Sequence, residues 1–120
     1  QKTLLHTAVS EKNIEVIKTL IELGANPEAG DRNHETALHT AVWTNNLEIV
    51  QLLLEYEVDC NAMNSNKRTP LFEAVENKNS EIIKVLLKAG ARTDIEDTNK
   101  RTVLDLARRK NNSEILALLE

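Results

Sequence analysis

The chain has 120 residues, 41% of them hydrophobic and 28% charged, with a formal net charge of −4. That length allows one domain at most, and the plentiful aliphatic residues exclude a disordered chain. The mild acidity argues against a dedicated nucleic-acid or membrane-surface binder, which carries a basic excess, and no run approaches the roughly 18 apolar residues of a membrane span.

A period of 33 residues organises everything else. Thr3-Leu4-Leu5-His6, Thr36-Ala37-Leu38-His39, Thr69-Pro70-Leu71-Phe72 and Thr102-Val103-Leu104-Asp105 follow one another at that spacing without insertion. In the first unit, about residues 1–30, Thr3 caps a short helix containing Ala8. Asn13 caps a second helix, Glu15 follows, and the aliphatic block from Ile14 to Leu23 ends at Gly24. The second unit, about 31–63, opens with the turn-prone Asp31-Arg32-Asn33-His34. Thr36 then starts a helix over about Ala37 to Thr44, and Asn46 starts another in which Ile49, Val50, Leu53 and Leu54 form one apolar stripe. The third, about 64–96, repeats this with Asn64-Ser65-Asn66-Lys67, Thr69, Asn79, Glu81, the block Ile82 to Leu87 and Gly90. The fourth, about 97–120, has Asp97-Thr98-Asn99-Lys100, Thr102, Asn112, Glu114 and the block Ile115 to Leu119.

Each element has a physical reason. Thr and Asn accept a bond from a free backbone N–H of the first helical turn, and the Glu just inside complements the helix dipole. Pro70 stands at a first helical position, where no N–H is needed. Gly24 and Gly90 stop helices in the left-handed conformation. The repeated Ala8, Ala41, Ala74 and Ala107 let a neighbouring helix approach closely. One such unit cannot bury its own apolar face, whereas a stack forms a continuous core. The spacing therefore predicts a mostly α single domain over 1–120, built from stacked helix-turn-helix units. The start at Gln1 rather than Met, and ends without a clearly polar capping repeat, are what a piece of a larger protein with more repeats would show.

The period, the Thr-Pro-Leu-His-like tetrads, the Leu-rich second helices and the Gly24-Ala25-Asn26 and Gly90-Ala91 endings resemble the ankyrin repeat from Lys2 to Glu120. The resemblance implies a solenoid with a β-hairpin-like finger in each repeat. It implies a non-catalytic module that binds other proteins through finger tips and the concave face of the first helices. The chain departs from the family pattern where glycine is usual: Lys12, Asn45, Lys78 and Asn111 stand between the helices, and His34, Lys67 and Lys100 before the repeated Thr. Left-handed geometry costs Lys about 1 kcal/mol there. Phe72 and Asp105 replace the family's His, which leaves open the inter-repeat hydrogen bond that His makes.

Several residues invite chemistry and are better read structurally. His6 and His39 sit in adjacent repeats, but no Cys or carboxylate cluster completes a zinc site, so their rings are expected to bond neighbouring turns. The single Cys60 excludes an internal disulfide, fits a reducing, intracellular compartment, and follows Asp59, the wrong sign for a reactive thiol. Leu53, Asp59 and Asn61 fit a spacing at which related ankyrin repeats can be hydroxylated on the Asn, with Cys60 in place of the usual Val; bonding of the turn backbone is the reading preferred for Asn61. No nucleophile has a base beside it and no glycine-rich phosphate loop exists, so neither catalysis nor a metal or other cofactor is expected.

Trp43 stands apart. Its counterparts Ser10, Glu76 and Arg109 are polar, and a core position would not vary in this way. It is expected on the exposed concave side, where Trp is enriched among binding hot spots. Tyr56 is read as peripheral packing. On the ankyrin reading the variable residues Arg32, Asn33, Glu35, Trp43, Thr44, Ser65, Asn66, Arg68, Glu76, Asn77, Thr98, Asn99, Arg101, Arg109 and Lys110 supply the partner contacts. The second helices are rich in Glu, while Lys67, Arg68, Lys100, Arg101, Arg108, Arg109 and Lys110 cluster on the presumed binding side. An acidic protein or peptide surface would suit that side, chiefly by steering and register. The alternative is a structural spacer that docks within its own chain. Neither nucleic-acid binding nor membrane insertion is expected.

Overall fold

The computed structural model describes residues 3–120; Gln1 and Lys2, which open the first repeat, lie outside the described residues. Among the described residues eight short helices follow one another: α1 (Leu4–Ser10), α2 (Ile14–Glu22), α3 (Ala37–Trp43), α4 (Leu47–Glu55), α5 (Pro70–Glu76), α6 (Ser80–Lys88), α7 (Val103–Arg109) and α8 (Ser113–Leu119). They pair in sequence, and the first helices α1, α3, α5 and α7 pack side by side as one layer. In the second layer α6 lies between α4 and α8. The result is an elongated body of 41 × 25 × 21 Å. Its core is the repeated Leu, Ile, Val and Ala of both layers, with Phe72 the largest buried side chain.

The caps explain where the helices begin. Thr3, Thr36 and Thr102 each accept the backbone N–H of the residue three ahead, and that residue's side chain returns a bond to the cap backbone. Asn13, Asn46, Asn79 and Asn112 accept from Val16, Ile49, Ile82 and Ile115. Thr69 is the exception: its hydroxyl is fully buried and has no partner. With Phe72 three residues on, no side chain is available to answer it, and the Phe72 N–H goes to the Thr69 carbonyl instead (3.0 Å). The capping role read for the repeated Thr thus fails in the third repeat.

The left-handed positions fall where the missing glycines implied. Lys12, Asn45, Lys78, Asn111, His34, Lys67 and Lys100 all have φ between 53° and 61°. Glu57 joins them at 62°, in register with Gly24 and Gly90; no earlier sign marked it, because the glycine pattern had simply lapsed there.

The fingers between repeats are tight turns, and no strand forms among the described residues. One clasp builds all three. Asp31 Oδ1 accepts the N–H of Asn33 and Glu35 (2.8 and 3.0 Å), Asn64 Oδ1 those of Asn66 and Arg68 (2.9 and 3.1 Å), and Asp97 Oδ1 those of Asn99 and Arg101 (2.8 and 3.0 Å). The residue at the head of each finger thus does locally what a ladder would do. The tips are linked through backbone, the Ser65 N–H donating to the Asn33 carbonyl and the Thr98 N–H to that of Asn66, and His34 Nδ1 also meets the Ser65 hydroxyl (3.2 Å).

Histidine ties repeat to repeat. The Thr36 N–H donates to His39 Nδ1 (3.1 Å), so the ring proton sits on Nε2, which donates to the Arg68 carbonyl (3.0 Å). His6 Nε2 reaches the Glu35 carbonyl in the same way (2.6 Å). Phe72 cannot do this for the last junction. There Arg68 Nε donates to Asp97 Oδ2 (3.2 Å) while its guanidinium lies 5.2 Å from the Phe72 ring centre.

Two predictions follow from this bonding. Thr36→Val should destabilise the fold by about 1 kcal/mol through the lost cap. Thr69→Val should stabilise it by about 1 kcal/mol, because a buried hydroxyl without a partner is removed; opposite shifts of the urea midpoint at these equivalent positions are the check. The second concerns pH. Burial holds the His39 pKa below its ordinary value, against the pull of the Arg68 carbonyl and of Glu35. The unfolded chain therefore takes up the proton first. The stability His39 contributes is complete above about pH 6.5 and is lost as pH falls toward the folded pKa. Urea midpoints measured from about pH 7 down to about pH 5 should fall, and His39→Gln, which can make the same two bonds, should flatten that fall.

Candidate functional site

The exposed sides of the first helices and the finger turns form one front face. Arg68 shows that they flank the same surface, since from its finger it bonds Glu76 on α5 (3.4 Å). Trp43 ends α3 on this face with 64% of its surface exposed, and its indole N–H makes no hydrogen bond among the described residues. The α3 and α5 ends are held together beneath it, because Asn77 Nδ2 lies 3.4 Å from the carbonyls of Val42 and Trp43.

The fifteen residues singled out in the sequence divide into two groups. Arg32, Asn33, Trp43, Ser65, Asn66, Thr98, Asn99, Arg101 and Arg109 are exposed. Glu35, Thr44, Arg68, Glu76, Asn77 and Lys110 are half-buried, and every one of them is bonded within the chain. Glu35 accepts from Asn64 Nδ2 (2.6 Å), and the Thr44 hydroxyl donates to the Ala41 carbonyl (3.1 Å). Arg68 and Lys110 (3.0 Å) converge on Glu76. These six first hold the face together.

This bonding changes the electrostatic picture. The sequence reading counts Arg68, Arg108 and Lys110 as part of a basic front. Arg68 is instead matched by Asp97 and Glu76, Lys110 by Glu76, and Arg108 by Asp105 (3.5 Å). Burial alone would raise the carboxyl of Asp97, but the N–H groups of Arg101 and Asn99 and the Arg68 guanidinium outweigh it and hold the pKa low. For Glu76 the opposing partners are Lys110 and Arg68, again with a lowered pKa. Arg101 and Arg109 keep no ion pair among the described residues. They leave the fourth repeat basic, where Glu76, Leu106, Arg109 and Lys110 line a cavity of about 220 Å³.

One front-face residue was missed. Glu73 occupies the row of Thr7, Thr40 and Leu106, whose variation is as telling as that of the Trp43 row. It is half-buried and its carboxylate has no hydrogen bond or ion pair among the described residues. Burial, together with the charges of Glu35 and Glu76, pushes its pKa up against the pull of Arg68.

Elsewhere the side chains serve the scaffold. Both imidazoles use their ring nitrogens in the bonds already described. Among the described residues no group of three or more His, Cys, Asp or Glu could hold a metal ion. The Cys60 thiol is buried, donates toward the Ala89 carbonyl (3.6 Å) and has its pKa raised by burial and by Asp59. Asn61 Oδ1 accepts the Arg92 N–H (2.8 Å) and its Nδ2 donates to the Gly90 carbonyl (3.2 Å), so it bonds turn backbone, although that of the following repeat. Tyr56 is half-buried at the edge of the core. A broader, open groove of about 580 Å³ lies on the back, between α4 and α6, lined by Gln51, Leu54, Glu55, Val85, Lys88 and Ala89. It brings together no set of convergent polar groups. No described helix is long and apolar enough to cross a membrane.

No curated protein matches the chain closely enough to count as a relative. A family model described as ankyrin repeats (3 copies) matches residues 1–64 and again 56–120, which together cover the whole chain. With the 33-residue period, the Thr and Asn caps and the two layers of stacked helices, this places the chain in the ankyrin-repeat family.

Proposed function

We propose that residues 1–120 act as one protein-interaction unit whose front face docks a partner protein or peptide, with Trp43 as the central contact. Ankyrin repeats are generally protein-protein interaction modules and typically non-catalytic. The observation that carries the finer reading is Trp43 itself: a large aromatic side chain left exposed in a chain whose other two aromatics are packed. Around it, Arg32, Asn33, Ser65, Asn66, Thr98 and Asn99 on the finger tips are exposed and adaptable. In the fourth repeat Arg101 and Arg109, which keep no ion pair among the described residues, suit a carboxylate on the partner and support a partner that is acidic at least at that end. No catalytic step, nucleic acid or membrane enters this reading, and the setting proposed for it is the cell interior.

A second reading, docking within a longer assembly of repeats, has one observation in its favour. Leu4, Val16 and Leu23 are exposed at the N-terminal end of the stack, whereas the period-mates of Leu4 and Val16 are buried by the preceding helix pair. The two readings differ in which surface matters.

The test is affinity capture with wild-type and Trp43→Ala baits, followed by titration of the recovered partner. Trp43→Ala should weaken binding by at least about 1 kcal/mol. Folding stability should change by less than about 0.5 kcal/mol, since the side chain is exposed. Capture that ignores Trp43 but is lost on Leu4→Glu with Leu23→Glu would favour the end-face reading.

A further inference from the structure

The two ends of the stack are built differently. A row of period-mates that is buried in the later repeats but open in the first faces the preceding unit. Leu4 heads one such row, 75% exposed where Ala37, Pro70 and Val103 are buried. Val16 heads another, 41% exposed where Ile49, Ile82 and Ile115 are buried. Leu20 is half-buried where Leu53, Leu86 and Leu119 are buried. Every member of these rows is apolar, the first repeat included.

The rows that face the following unit change character in the fourth repeat. His6 and His39 belong to one of them, since their rings reach the next finger, and Asp105 takes their place in α7. One helical turn on, Val9, Val42 and Val75 are fully buried, whereas Arg108 in their row is exposed. Asp105 and Arg108 pair with each other (3.5 Å), so these charges are answered within α7. Asp94 turns inward in the same way. Its row-mates Glu28 and Asn61 accept the backbone N–H of Asp59 and Arg92 in the next repeat (2.8 Å each), but Asp94 closes on the Arg92 guanidinium of its own turn (2.8 Å). The outer side of the fourth unit is thus polar where the others are apolar, although its composition gave no clear sign of a cap.

Deepening the end-face reading, on which it rests, we propose that α7 and α8 close the stack, and that the apolar end of α1 and α2 is covered by a further helix pair of the same polypeptide, ahead of Gln1. That end continues the interface between repeats row for row, which sets the chemistry of its occupant: an apolar helix layer in the 33-residue register. A second copy of the chain does not suit it. The end of the stack measures 25 × 21 Å, so two ends facing one another would bury about 1,000 Å² in all, short of the roughly 1,200–2,000 Å² of a stable specific interface. A tethered helix pair needs less, because it gives up no free translation on docking. At the other end, stacking would take the Asp105–Arg108 pair out of water, where desolvation exceeds the attraction. It would also set a carboxylate against the next finger's carbonyl in place of the histidine donor. A polar outer face is what ends a repeat array. Arg101, in the row of Glu35 and Arg68, keeps no ion pair among the described residues and stays available to a partner.

The experiment adds one period to either end of residues 1–120 and reads the urea midpoint. A copy of residues 34–66 placed before Gln1 and a copy of residues 22–54 placed after Glu120 both keep the register and both carry the pair α3 and α4. The first should raise the midpoint by roughly 0.5 M or more in a single transition. The second should not raise it, although it offers Asp31 to Arg101, until Asp105→His and Arg108→Val restore the buried rows. Equal gains at the two ends, or no gain from the restored rows, would overturn the closing role of α7 and α8 and leave the end-face reading standing. No gain at the N-terminal end would overturn both. The occupant is read from the residues encoded ahead of Gln1: a Thr 33 residues before Thr3 and an Asn 33 residues before Asn13 are expected, and a sequence without that register overturns the assignment. So does sedimentation of residues 1–120 as a dimer that Leu4→Glu returns to monomer. None of these readouts involves Trp43, so the front docking face stands or falls separately.

Discussion

No helix among the described residues is longer than nine residues, and five of the eight have only seven. Segments of that length are marginal helices in water, because the cost of nucleation is spread over too few bonds. They persist because each pair is roofed by the next. This is the constraint on which the rest depends: every unit must present to its neighbour the surface that the neighbour presents to the one beyond. The 33-residue period is the sequence form of that demand. It also explains Ile17, Val50 and Ile83, one in each of the first three repeats and all fully buried, and the alanines that let α1, α3, α5 and α7 close up. A side chain excused from the period is excused from the core, which is why Trp43 can be where it is.

Much of the architecture was legible for this reason. Caps, helix starts and left-handed positions are local, and their residue types declare them: Thr, Asn and the turn residues work within four positions of themselves. What could not be read was pairing between rows. Glu35 finds Asn64, and one repeat later Arg68 finds Asp97, so the same contact is made with donor and acceptor interchanged. Nothing in either finger alone reveals that Arg68 is committed to the scaffold. Counting cations along the chain therefore overstated the basic front. Thr69 is the converse case. Its cap was expected from its type, and it fails because Phe72, a side chain without a polar atom, replaces the residue that would have answered it. Glu57 was hidden for a simpler reason: a left-handed site filled by a glutamate carries no mark.

The third junction shows how a lost bond is replaced. Where His6 and His39 reach the next finger's carbonyl, Phe72 fills its place in the core and leaves that bond unmade. Arg68 then spans the gap from above, stacked near the Phe72 ring and joined to Asp97 and Glu76, while Lys110 adds a link from α7 to Glu76. A neutral histidine-to-carbonyl bond and a charged strap differ in their sensitivities. The first responds to protonation of the ring. The second depends on carboxylates whose pKa values are depressed, so its contribution is present at neutral pH and lost only as acid titrates Asp97 and Glu76. Its exposed members also respond to salt more than the buried histidines do.

These internal bonds bear on recognition because they determine which charges remain to be read. A face whose every cation were free would attract any acidic surface, with little selectivity. Here Asp97 and Glu76 absorb the middle of the basic row, leaving a base-rich end at Arg101 and Arg109. The same residues that hold repeats three and four together thereby sharpen the surface those repeats present. On the proposed docking role, stability and selectivity at this junction rest on one set of ion pairs.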